Sequence, residues 1–535
     1  MKNILEFLSR LWFPLFILLL IIILTIQFAI AQNVEIQKSK RLLDIDQPKK
    51  AIAELAKVAE AYPTNAAAWY HLGAAQQKNG HPDEAIKSFE KGISVDEKEP
   101  LNYVGKGAVK AFQKLPSEAK TLFDKALSMS KSKNKLVLQA IAESYLTDEK
   151  LVSEALNLLL KAKSLDDHDP ETFLLLGDAY LAQNNGGLAV SSYERAASLN
   201  TTLAKPYYKI GLVYLRSTNF AASQEAFNKA IEIDPAYTLA YKEQGELYYQ
   251  MKEGVKAVKA YETYLSLTEN PEVNKLRYAF ILFMAKDFAK ANQVFDKLVQ
   301  KPDATPVTLR YYAFSLFEAG DCPRSQNIFD RYFTMIPQQE IAASDYAYYG
   351  KLLLKENKDS LASINLQKSL SLQSDQPEIL QLQAETYFKS KKYTEAIATY
   401  KRLMATRSKP LSQDYYTLGR AYYLNKQFES ADTVFQKLIE LQPAMTVGYL
   451  WEARAKSNLD PESEDGLAKP YYEQLIEKAS ASPEKSKNDL LEAYSYLGYY
   501  HFLKQEIPVS KSYWQKVLQL NPNDEKAKEA LKAIH

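Results

Sequence analysis

The sequence predicts an all-α protein, a solenoid of short helix hairpins stacked along the chain, on three observations. A small residue followed four places later by a large one recurs at a near-constant interval: Ala51, Ala85, Ala119, Ala155, Ala189, Ser223, Ala257, Ala291, Ser325, Ala362, Ala396, Ala431, Ala468 and Ser510, most neighbours being 34 residues apart. Glycine stands twelve residues before the small residue in eight units, at Gly73, Gly107, Gly177, Gly211, Gly245, Gly350, Gly419 and Gly498. Proline stands twelve residues after it in five, at Pro63, Pro235, Pro337, Pro443 and Pro522. A fixed interval of this size marks a repeat architecture.

The N-terminus comes first and reads as an address. Lys2 and Arg10 precede the apolar run LWFPLFILLLIIILTIQFAIAQ, and Ala29-Ile30-Ala31 is the small-x-small pattern that signal peptidase accepts, which predicts cleavage between Ala31 and Gln32 and export to the periplasm. A second reading stays open. Residues 11–30 are about as long as a membrane-spanning helix, and Lys38, Lys40 and Arg41 just beyond oppose translocation, which favours an uncleaved anchor. No cysteine follows the run, so nothing supports a lipoprotein signal.

Each position of the repeat then has a physical task. The small residues let the two helices of a hairpin approach closely, and the large residue four places on shares their face and fills the space between hairpins. Proline ends the second helix because it lacks an N–H and disfavours helix in the residue before it. One hairpin cannot bury both faces, so hairpins stack and present an extended surface. The interval loosens to 37 between Ser325 and Ala362, to 37 before Ala468 and to 42 before Ser510. Bends are expected there, and Lys478 to Asp489 reads as a polar extended connection. The expected organisation is 1–31 signal or anchor, 32–337 the first nine repeats, and 338–535 the last five with a terminal capping helix, Asp524 to Ile534.

Composition excludes several functions. The 67 Lys and Arg balance 65 Asp and Glu, which gives neither the basic excess of a nucleic-acid binder nor an acidic tail. One cysteine, Cys322, can form no internal disulfide and no multi-cysteine zinc site, and the five histidines lack the spacing that puts two ligands on one helical face. The 37 tyrosines against 4 tryptophans are the unusual feature.

The second unit, WYHLGAAQQKNGHPDEAIKSFEKG, places Trp69, Leu72, Gly73, Ala85 and Phe89 where the tetratricopeptide repeat has its signature residues. Tyr207 to Pro235 matches as well, with Ser223 for alanine. The chain resembles that family over nearly everything after residue 36, in about fourteen repeats, and the family period is 34 residues. The resemblance implies a right-handed superhelix with a concave groove that binds a protein or peptide, and no enzymatic activity or cofactor.

In the resembled family the fifth, ninth and twelfth positions of the first helix face the groove. Here they hold Tyr70, Tyr208, Tyr249, Tyr416, Tyr423 and Tyr499, with Phe314, Phe317 and Phe388 in repeats without the glycine. Tyrosine offers contact area at low entropic cost and a hydroxyl that still bonds, which suits an extended peptide or exposed strand; a glycan fits on the same grounds. The lysine and asparagine with which co-chaperones of the family grip a C-terminal carboxylate are absent: those places hold Tyr70 and Ala74, Tyr208 and Leu212, Lys242 and Glu246, Tyr416 and Arg420.

Signals for chemistry are weak. Gly105-Lys106-Gly107 lacks the rest of a phosphate loop and falls inside a first helix. Asn184-Asn185-Gly186-Gly187 and Gly320-Asp321-Cys322-Pro323 fall at hairpin turns. Asp460, Glu462 and Glu464 begin like a calcium loop, but Gly466 comes one place late and Tyr471 stands where the closing glutamate belongs. Three residues inserted at a turn account for this stretch, with its acids near the start of the following helix.

Overall fold

The computed structural model describes residues 33–300, 304–479, 484 and 486–534. The predicted signal or anchor, with Ala31 and Gln32, lies outside the described residues. These residues divide into two compact units, the second beginning at Ala304. Among them the helices alternate with turns and no strand occurs. The three residues that loosen the interval after Ser325 form a single 3-10 turn, Gln338–Glu340, so they lengthen a connection inside the second unit.

In the first unit a helix over 33–44 precedes Pro48–Ala61, and hairpins follow from Ala66–Lys78 with Pro82–Val95 to Pro271–Met284 with Phe288–Val299. In the second unit they run from Pro306–Glu318 with Cys322–Met335 to Lys487–Leu503 with Ile507–Leu520. A last helix, Glu525–Ala533, is N-capped by Asp524, whose carboxylate accepts from the Ala527 N–H, and buries Ala527 against Trp514 and Val517. The cap thus lies where it was expected. Of the expected connection from Lys478 to Asp489, residues 480–483 and 485 lie outside the described residues, while Lys478 is still helical and a helix begins again at Lys487 with Asp489 in its first turn, where a carboxylate favours the helix dipole.

The repeat positions form the core. Phe89, Phe227, Phe295, Phe329 and Phe435 are fully buried, and Tyr400, Tyr472 and Trp514 nearly so. Three repeats carry serine at the small position. Each serine hydroxyl donates to the first-helix carbonyl twelve residues back: Ser223 to Gly211 at 2.9 Å, Ser325 to Ala313 at 2.8 Å and Ser510 to Gly498 at 2.7 Å. A serine therefore replaces the buried alanine without leaving a polar group unsatisfied.

Hairpin turns share one backbone device. The second residue after the first helix takes the left-handed conformation that ends a helix, at Lys114, Asn184, Thr218, Lys252 and Lys391 among others. In Asn184-Asn185-Gly186-Gly187 it is Asn184, with φ of 60°, that turns the chain, and Asn185 then caps the next helix by accepting from the Leu188 N–H. In Gly320-Asp321-Cys322-Pro323 the same roles fall to Gly320 and Asp321.

Candidate functional site

The first-helix positions of the first unit line a cleft of about 340 Å³. Three successive first helices contribute at the fifth and ninth places: Tyr70 and Ala74, Val104 and Ala108, Ala140 and Ser144. Small residues keep the floor open, while Tyr70 tilts on the buried Phe89 and Phe112 stands 65% exposed at the margin. Across the cleft Lys78 pairs with Glu143 at 2.8 Å. Burial, with Glu143 and Glu99 nearby, raises the Tyr70 hydroxyl well above its ordinary range. Burial, with Lys40 nearby, lowers His71 to about 4, so its imidazole is neutral.

Lys40 belongs to the segment 33–50, which crosses the inside of this unit. Ile36 packs with Leu55, Leu72 and Ala75 near the start of the chain. At the other end of the segment, Ile45 and Leu42 pack with Ala204, Ala230, Tyr237 and Ala240. Polar contacts follow the same line. Arg41 pairs with Asp234 at 2.9 Å and Lys205 with Asp44 at 3.2 Å. The Thr268 hydroxyl donates to Asp46 at 2.8 Å. Glu269 accepts from the backbone N–H groups of Lys49 at 2.8 Å and Lys50 at 3.0 Å. Gln47 places no side-chain cap on the helix Pro48–Ala61. A carboxylate some 220 residues away therefore supplies the acceptors that its first turn lacks.

This strap changes the reading of Tyr208. Its ring packs at 5.4 Å from Tyr237 in the cluster that holds Ile45 and Leu42, so the chain's own N-terminal segment covers it. Tyr249 is overlaid at 4.3 Å by the Arg277 guanidinium, which is itself bonded to Glu246. Phe314 and Phe317 are buried, with Phe314 stacked at 4.0 Å on Tyr348. Both rings fill space between helices. Tyr499 is half exposed near Phe502 and Leu503.

The remaining three gather in the second unit. The helices Pro377–Lys389, Ser412–Leu424 and Thr446–Leu459 place Phe388, Tyr416 and Trp451 around Arg420, with Tyr423 against the tryptophan. Its guanidinium carbon lies 5.2 Å from the Phe388 ring, 5.2 Å from Tyr416 and 5.3 Å from Trp451. Tyr423 meets Trp451 edge to face at 5.3 Å and accepts a hydrogen bond from Asn458. Arg454 lies over the other arginine's tryptophan at 4.7 Å, but Glu492 holds it with two bonds of 2.8 and 2.6 Å. Sequence reasoning missed Arg420 and Trp451 as members of this group. The available signal was an arginine at the ninth position next to aromatics at the fifth and twelfth.

Beside this group the buried Glu452 meets the half-buried Asp432. Burial first, and then the neighbouring Asp432, push Glu452 up to about 9, while Asp432, against the opposing effect of burial, is held below its usual range by hydrogen bonds with Glu452 and with Lys456 at 2.8 Å. Because the folded value exceeds the unfolded one, this contribution to stability is full below the ordinary glutamate range and is lost as pH rises toward 9. Glu452→Gln should therefore raise the melting temperature at pH 8 and change it little at pH 4. Each unit by which pH passes the unfolded value is worth about 1.4 kcal/mol at most. Thermal melts of both proteins at the two pH values measure this.

The turn at Asp460 is a backbone cap. Asp460 is buried, and its oxygens accept from the N–H groups of Glu464 at 2.9 Å, Gly466 at 2.8 Å and Leu467 at 3.2 Å. These bonds hold the carboxyl below its usual range against the opposing effect of burial. Asp460 thus has a structural task. Asp166, Asp167 and His168 converge at the surface, where Lys135 already pairs with Asp166.

Comparison with known proteins agrees with the repeat geometry. Sequence profiles of the tetratricopeptide repeat match residues 66–99, and 204–237, 377–408 and 415–445. The C-terminal part of a tetratricopeptide repeat-containing protein from Cytophaga hutchinsonii is 32% identical, over 48% of this chain and 99% of its own, with a TM-score of 0.39. A tetratricopeptide repeat protein from Parabacteroides merdae is 20% identical, over 47% and 98%, with a TM-score of 0.32. YrrB, a tetratricopeptide repeat protein with an unusual peptide-binding site, is 22% identical, over 35% and 95%, with a TM-score of 0.23. No curated protein matches. Such repeats generally serve as protein–protein interaction scaffolds and are generally not enzymes. The chain belongs to the tetratricopeptide repeat family.

Proposed function

We propose that this protein is a non-enzymatic scaffold of the cell envelope that binds an extended polypeptide on the first-helix face of its second unit. One observation carries the reading: Phe388, Tyr416 and Trp451, from three successive first helices, are only partly buried and converge on one cation, with the partly buried Tyr423 against the tryptophan. Partly exposed aromatics beside arginine are what interface hot spots are made of. In the first unit the strap already occupies part of the corresponding surface.

Replacing Phe388, Tyr416 and Tyr423 together with alanine should weaken capture of the partner from native-host envelope extract at least tenfold, about 1.4 kcal/mol, with helical circular dichroism retained. Equal recovery by both proteins would sink the proposal. The envelope assignment rests on the apolar run and the Ala29-Ile30-Ala31 site. The same run, with Lys38, Lys40 and Arg41 after it, supports a second reading, an assembly factor that keeps residues 11–30 as its anchor. N-terminal sequencing of protein from the native host separates them, because a start at Gln32 excludes the anchor.

A further inference from the structure

We infer that the second unit recognises an acidic side chain, Asp or Glu, within an extended polypeptide, and that Arg420 is the group that binds it. The inference rests on the peptide-binding reading above and names the chemistry of the ligand. Arg420 occupies the middle of the aromatic group, with Phe388, Tyr416 and Trp451 each between 5.2 and 5.3 Å from its guanidinium carbon. Ring contacts of this kind satisfy the charge through the π-faces. They offer nothing to the N–H donors, which lie in the plane of the guanidinium and need acceptors. Its Nε is buried without an acceptor, and no acidic side chain pairs with Arg420 among the described residues.

The surroundings make this cation exceptional on its face. Arg454, on the next first helix and against the same tryptophan, is neutralised by two bonds to Glu492. Lys456 is neutralised by Asp432. Glu385, one helix back, is exposed and accepts from Gln381 at 3.0 Å rather than from Arg420. A guanidinium carries its charge permanently and presents a planar fork that a carboxylate matches with two parallel bonds. The surface therefore lacks one carboxylate, and the rings beside the fork provide apolar contact for the residues flanking it.

The probe is a degenerate nonapeptide library, N-acetylated and C-amidated so that it has no terminal charge, passed over immobilised full chain and read by mass spectrometry. Retained peptides should be enriched at least fivefold in Asp or Glu next to an apolar residue. Arg420→Gln should abolish that enrichment while circular dichroism stays unchanged. Arg420→Lys, which keeps the charge and loses the fork, should leave a reduced enrichment. A library that is retained without acidic enrichment, or with the same enrichment on Arg420→Gln, overturns the inference and leaves the peptide-binding reading standing. No retention at all overturns both. A parallel library with free C-termini, retained only through the terminal carboxylate, would also overturn it, by moving the ligand group from a side chain to a chain end.

Discussion

Gly105→Val should destabilise the first unit by about 3 kcal/mol, as expected for an overpacked core. Phe89 is fully buried, and its ring lies between two first-helix glycines. A Cβ added at Gly73 would come within 2.6 Å of the ring, and one at Gly105 within 2.2 Å. Neither distance is possible without moving Phe89, whose ring is already packed against Tyr70. A side chain at Gly105 would relieve a glycine cost of only about 0.5–1 kcal/mol in helix propensity, so the clash decides the sign. Because a solenoid opens locally, hydrogen exchange over Ala66–Lys78, Pro82–Val95 and Pro100–Phe112 is the informative measurement, alongside urea unfolding. Gly105→Ala with Phe89→Leu should recover part of what Gly105→Ala alone loses. Unaltered exchange in Gly105→Val would refute the packing account and reopen Gly105-Lys106-Gly107 as something other than a helix contact.

Ile45→Asp should release the strap. Ile45 is 7% exposed, and burying such a side chain contributes about 1.5–3 kcal/mol, to which the variant adds the cost of a carboxylate among Ala204, Ala230, Tyr237 and Ala240. The polar contacts along the segment cannot compensate. Arg41 is largely exposed, so its pair with Asp234 is worth about 1 kcal/mol or less. Amide exchange in residues 33–50 should rise at least tenfold in Ile45→Asp and change little in Arg41→Ala. Protection that survives Ile45→Asp would show that the segment is held by its polar latch instead.

Much of the architecture was legible. The interval of 34, the small residue and the large one four places on name the buried positions directly, because each records a contact made within one hairpin or with its neighbour. Turn chemistry at Asn184 and Asn185 was legible for the same reason. The site was legible only in part. Position within the repeat put Phe388, Tyr416 and Tyr423 on the first-helix face, yet the same rule chose Phe314 and Phe317, which Tyr348 and neighbouring rings cover. A position says where a side chain starts, and its exposure depends on which residue stands opposite on the next hairpin.

What the sequence determined by itself is the unit of construction: helix, turn, helix, with its core and its stops, all set by contacts between near neighbours. Only the tertiary structure decided where the chain returns to meet itself. Arg41 reaches Asp234 across 193 residues and Lys49 reaches Glu269 across 220. That closure depends on small rotations between hairpins accumulating over the first unit, and no single repeat records their sum. The same holds for the charge of Arg420. Its want of an acidic partner among the described residues is a property of three helices side by side, and the sequence lists acids in plenty without saying which of them arrive.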